Sequence, residues 1–276
     1  METKEKKKII PAVLLAVAIA IAGILLHRLA GYLLKKLPVE TYWYQRMLIQ
    51  TVSALLSVGW LFLFRKQFVL REKGRPFRTC WMPFLVILLY CATVALRQAS
   101  GQTAPVRPIP EIIAFCLTML LVGVSEELLH RGVILNILTA AIGTKTYSGA
   151  VVSCFIGGTL FGLIHLFNML SGISPAAVII QTAGAIGAGW LLSALYLRSR
   201  NIYLLIAAHA LNDGAAMTAQ GIFSGQGTVE NAIAAVTDAS DLFFFVKVAV
   251  VLFELIVFGA FTMLLLRKNK MQYPET

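Results

Sequence analysis

Apolar residues occur along this chain in long unbroken runs, with polar residues gathered between them. Eight runs can be drawn, at about 9–27, 47–64, 80–96, 112–135, 147–167, 175–197, 202–218 and 242–266. Runs of roughly 20 residues predict membrane-crossing helices, because a helix satisfies its own backbone N–H and C=O groups where no water is at hand. A membrane barrel would instead alternate over short segments, and that period is absent. The expected fold class is all-α, a polytopic membrane bundle of about eight transmembrane helices. No internal repeat or low-complexity linker divides the chain, so residues 1–276 are expected to form a single membrane domain.

Composition closes the soluble alternative. Of 276 residues, 58% are hydrophobic and 13% charged, against about 25% charged in soluble domains. The net charge of +11 does not point to nucleic acid, because no basic domain carries it; Lys and Arg lie in short loops and at the termini. The first run follows Lys4, Lys6, Lys7 and Lys8, but it is longer than a signal-peptide core and reads as a retained span. Cys80, Cys91, Cys116 and Cys154 lack CxxC spacing and read as small core residues, neither disulfide framework nor zinc ribbon.

Loop charges set the orientation. One side collects the four N-terminal lysines, six cations between Arg65 and Arg78, then Arg131, Lys145, Arg198, Arg200, Arg267, Lys268 and Lys270. The other has Arg28, Lys35, Lys36, Arg46, Arg97 and Arg107. Seventeen cations against six place both termini in the cytoplasm. Pro105, Pro108 and Pro110, and the Gly-rich, Lys-free stretch 219–241, read as outer loops. Short loops and compactness suggest a prokaryotic plasma membrane.

An ionisable side chain inside a span costs about 2.5–3.5 kcal/mol on insertion scales, so each is a functional candidate. In the fourth span Glu126 and Glu127 precede Arg131. Glu127 and Arg131 share a helix face, acid before base, while Glu126 is turned about 100° away and left unpaired by Arg131. The fifth span ends with Phe161, His165 and Asn168, and the seventh carries His209, Asn212 and Asp213. The last three can face one cavity. Singly, each reads as a structural polar residue: a buried salt bridge, a satisfied interior His. Together they favour one polar site within the bundle. Lys247 and Glu254 read as a structural pair, and His27 and His130 as interfacial or supporting residues.

These stretches resemble the signatures of the CPBP family, which contains type II CAAX prenyl endopeptidases and bacteriocin-processing or self-immunity (Abi-like) membrane proteins. The family pattern is EExxxR, then FxxxH, then His followed four residues later by Asn or sometimes Asp. Glu126-Glu127…Arg131, Phe161…His165 and His209…Asp213 match in that order, within a motif-bearing core of about residues 112–218. The resemblance implies an eight-helix bundle and a metal-independent endopeptidase acting on a membrane-associated peptide or protein, prenylated or not. Glu126 would be the general base, and His165 would help hold the attacking water. Glu127 and Arg131 would fix the helix and tune the base, and His209 with residue 213 would stabilise the oxyanion. An ionised Asp213 cannot donate to an oxyanion. Either Asp213 orients and charges His209, the favoured reading, or it carries a proton itself, or Asn212 supplies the donor.

No cofactor is expected. Zinc is the rival: two Glu and two His are plausible ligands, and Glu126 and His130 share a face, but HExxH is absent and Arg131 opposes a cation. Ser125 has no nucleophile-elbow context. The alternative function is a non-catalytic immunity or scaffold protein that binds another membrane protein, its polar cluster fixing helix packing. A carrier ranks last, without an inverted repeat or broken helix pair.

Overall fold

Every predicted apolar run is helical. A computed structural model describes residues 2–39, 41–74, 76–234 and 241–267; Arg75, Lys268 and Lys270 of the charge count lie outside these residues. The helices are α1 (Glu2–Leu34), α2 (Tyr42–Leu63), α3 (Pro76–Ala99), α4 (Ile109–Glu127), α5 (Asn136–Ile142), α6 (Tyr147–Leu163), α7 (Pro175–Ser199), α8 (Ile202–Ala216), α9 (Thr218–Ile222), α10 (Val229–Ala234) and α11 (Asp241–Leu265). Among the described residues there is no strand, only one bridge between Val106 and Phe223. Among the described residues, seven helical segments are long and apolar enough to cross a membrane. The eighth predicted run is α8, whose 15 residues span about 22 Å. The chain is an all-α polytopic bundle.

Local chemistry starts several of these helices. Thr146, Ser174 and Asn201 cap α6, α7 and α8 by accepting from the backbone N–H of Gly149, Ala177 and Leu204, and Pro175 occupies the first turn of α7, where its missing N–H costs nothing. Tertiary packing then joins α2 to α4, α4 to α8, α6 to α7 and α7 to α11.

Glycines set the spacing of the pairs that matter. A Cβ on Gly123 would stand 2.7 Å from the Ile206 carbonyl oxygen, so α4 and α8 approach backbone to backbone. Gly158 and Gly189 meet in the same way between α6 and α7. With no hydrophobic force between helices in lipid, such close approach is what van der Waals packing can gain from.

One expectation is corrected. Arg131 is no loop cation: it is buried within the bundle, leaving sixteen charges against six with the sign unchanged. The fourth and fifth predicted runs are not continuous α-helix. The helix type changes instead, from α to π over Leu128–Leu135, which includes Gly132, and from α to 3-10 over Ile164–Ser171. The wider and tighter turns shift where the following side chains point.

Gly123→Val is expected to lower the melting temperature of the detergent-solubilised protein, at about 1–3 kcal/mol for overpacking. Gly59, helical and with open space around its Cβ position, is the control: Gly59→Ala should be neutral or stabilise by about 0.5–1 kcal/mol.

Candidate active site

Glu127 ends α4 with no solvent exposure. Its Oε1 accepts from Arg131 Nη1 at 2.7 Å, four residues on, and meets His209 Nδ1 of α8 at 2.7 Å. Because that oxygen is an acceptor already held by a guanidinium, Nδ1 is the donor in the second bond. His209 Nε2 then faces the remaining carboxylates, 3.6 Å from Glu126 Oε2 and 3.4 Å from Asp213 Oδ2. Glu127 therefore fixes the ring at the nitrogen opposite Asp213, a division of labour invisible in the linear motif. Asn212 is exposed and donates from Nδ2 to Asp213 Oδ1 at 3.3 Å.

A buried guanidinium needs more than one carboxylate. Arg131 also donates from Nη2 to the Gly189 carbonyl at 3.2 Å, and its Cζ lies 4.5 Å over the Phe161 ring, a cation–π contact. Phe161 is the hub of the site. The rings of His130, His165 and His209 stand nearly perpendicular to it, with centroids 5.0, 5.3 and 5.8 Å away. His165 Nδ1 donates to the Phe161 carbonyl at 3.1 Å, which leaves the neutral ring's Nε2 as an acceptor. His130, expected as a supporting residue, is buried with neither ring nitrogen hydrogen-bonded among the described residues.

Glu126 turns the other way from Glu127. Its side chain is 31% exposed, as is that of Asp213, and both line a cavity of ≈ 1630 Å³ with His130, Phe161, His165 and His209. His165 is within electrostatic reach of Glu126 and Asp213. Three helices separated in sequence thus contribute to one polar surface. Ser57 of α2 donates to the carbonyl of Ser125, beside Glu126, at 2.7 Å, and the Ser125 hydroxyl is committed to Val122 O. Glu254, read from sequence as a structural partner of Lys247, lines the same cavity.

Residues outside the motifs support it. Asn136 donates from Nδ2 to the carbonyls of Arg131 and Gly132 at 2.9 and 3.0 Å, where the π-helical ladder returns to α. Tyr196 Oη lies 3.2 Å from the same amide and donates to Glu72 Oε2 at 3.2 Å; Glu72 in turn pairs with Arg200 at 2.5 Å. A polar residue five positions after Arg131, at the end of the apolar run, was the one available sequence signal for Asn136. Among the described residues, no three His, Cys, Asp or Glu side chains are grouped so as to hold a metal ion.

Residues 108–215 match the family model described as type II CAAX prenyl endopeptidase Rce1-like. That stretch contains all three motifs and agrees with the CPBP resemblance. The motif-bearing segment is thus similar to that family, over less than half of the chain. Comparison with curated proteins and with solved structures found no match.

Removing one member of the buried pair should cost more than removing both. Arg131→Met alone is expected to destabilise by about 3–5 kcal/mol, because Glu127 is left charged and buried, and adding Glu127→Gln should recover part of that loss. Denaturant titration of the two variants and wild type in detergent measures the difference.

Proposed function

We propose that this protein is an intramembrane endopeptidase that hydrolyses a peptide bond in a membrane-associated peptide or protein, using a water activated by Glu126. The convergence of Glu126, His165, His209 and Asp213 on one cavity carries this reading, supported by the Rce1-like match. The chemistry is confined to about residues 112–218 of a single membrane domain, and the loop charges favour cytoplasmic termini.

Each group has a step suited to its position. A water between Glu126 and His165 gives one proton to the Glu126 carboxylate while its other hydrogen is held by His165 Nε2. The hydroxide adds to the substrate carbonyl carbon, and the carbonyl π electrons move onto oxygen. His209, its Nδ1 anchored on Glu127, offers Nε2–H in its protonated form to that oxyanion. Collapse breaks the C–N bond, and Glu126 passes its proton to the leaving amine. Glu127 and Arg131 position His209 and α4 and do not exchange protons. Asp213, 3.4 Å from Nε2, holds the proton on His209 in the resting site, and Asn212 steadies Asp213. No step calls on a metal or other cofactor.

Mass-spectrometric readout of a peptide library incubated with purified protein tests this. Wild type should cut, Glu126→Gln should be folded and inactive, and a chelator should leave the rate unchanged. Loss of cleavage on chelation would move the reading to zinc; a Glu126→Gln protein that retains the cellular phenotype would move it to a scaffold or immunity protein.

Position 213 gives a separate expectation. Because Glu127 already fixes the ring, Asp213→Asn should keep kcat within about tenfold, whereas Asp213→Leu should lose about 10²–10³, the scale of one oxyanion-site group.

A further inference from the structure

Helix α2 carries a polar lane. Arg46, Gln50, Ser53 and Ser57 follow one another at steps of four, three and four residues, so they share one face, and all four line the cavity that holds Glu126. Ser57 is tied to the carbonyl beside Glu126. From Ser57 to Gln50 and on to Arg46 the lane rises roughly 10 and 16 Å.

Its far end has polar groups without adequate partners. Gln50 is 6% exposed and lies on the cavity wall. Arg46 Nε is buried without a hydrogen-bond partner, and its Nη1 is 3.5 Å from Glu230 Oε1, too loose for a hydrogen bond of full strength. Arg28 donates to the Phe167 carbonyl at 3.1 Å and makes no ion pair among the described residues. Arg28 follows His27, whose Nδ1 is bonded to Ser53 Oγ at 2.7 Å, so α1 and the lane of α2 meet beside it. With Lys35, three cations line this wall, and among the described residues only Arg46 has a carboxylate partner, Glu230. A surplus of positive charge beside an amide on the same wall is complementary to an anion.

We propose that Arg28, Arg46 and Gln50 form a second subsite, which binds a carboxylate of the substrate peptide roughly three to five extended residues from the bond cut at Glu126. The proposal rests on the endopeptidase reading and names a feature of its substrate: an acidic side chain at that distance. A peptide is favoured over a lipid headgroup because the lane runs without interruption from this cluster to Ser57 and the reacting carboxylate. All three residues lie outside the segment that matches the Rce1-like model, so the subsite belongs to this chain's own N-terminal helices.

The test uses a fluorescent peptide from the library with Asp placed three, four or five residues to either side of the scissile bond, and the same peptides with Asn. Binding is read by anisotropy and cleavage by mass spectrometry, with wild type, Arg28→Gln, Arg46→Gln and Gln50→Leu. At one of those spacings the Asp peptide should bind roughly tenfold to a hundredfold tighter than its Asn twin, the range of a charge-assisted hydrogen bond. Either arginine variant should erase that ratio and Gln50→Leu should reduce it; the last, a loss of the amide at similar volume, keeps the test open if an arginine variant fails to fold. Equal binding of Asp and Asn peptides overturns the subsite even where both are cut. A clear Asp preference with no cleavage keeps the subsite and removes the protease reading. A preference for phosphatidylglycerol over phosphatidylcholine nanodiscs that needs both arginines, without an Asp preference, overturns it in favour of a lipid headgroup.

Discussion

One carboxylate oxygen, Oε1 of Glu127, holds the site together. It is shared by Arg131 at 2.7 Å and His209 at 2.7 Å, so it joins the end of α4, the π-helical turn after it and the middle of α8. Without that bond Arg131 would be an uncompensated charge inside the bundle, and His209 would have no fixed tautomer. Such a pair is weak evidence for stability, since desolvation consumes much of its attraction. Its value lies in specificity: the Gly123 contact between α4 and α8 brings the two partners within reach, and the hydrogen bonds then fix their register.

The same bond divides two adjacent acids. Glu127 is committed to cations and carries structure; Glu126, one residue earlier on another face, is left to the cavity. Phe161 does comparable work with an apolar ring, placing Arg131 over its face and standing three imidazoles around it. Precise polar chemistry is thus supported by apolar contact and by one buried anion. Further from the site, Asn136, Tyr196 and Glu72 link the π turn to the basic loop between α2 and α3. At the other end of the cavity the polar lane of α2 reaches Arg28 and Arg46. The N-terminal helices, which carry no recognisable motif, are therefore part of the wall that a substrate would meet.

The number and class of elements were legible in the sequence because lipid imposes a simple rule: backbone groups must be satisfied within the segment, so each crossing needs a long apolar run. The i,i+4 spacing of Glu127 and Arg131 likewise gave their pairing and left Glu126 apart, since helix periodicity alone dictates it. Only the tertiary structure decided that Arg131 is interior and not a loop cation, that Glu127 and not Asp213 takes His209 Nδ1, and that the fourth and fifth predicted runs pass into π and 3-10 turns. It also brought Arg28, Arg46 and Gln50 onto the wall shared with Glu126. These outcomes depend on which helices touch and how closely, and that is set by small residues and ring contacts from distant parts of the chain, where no local period carries the information.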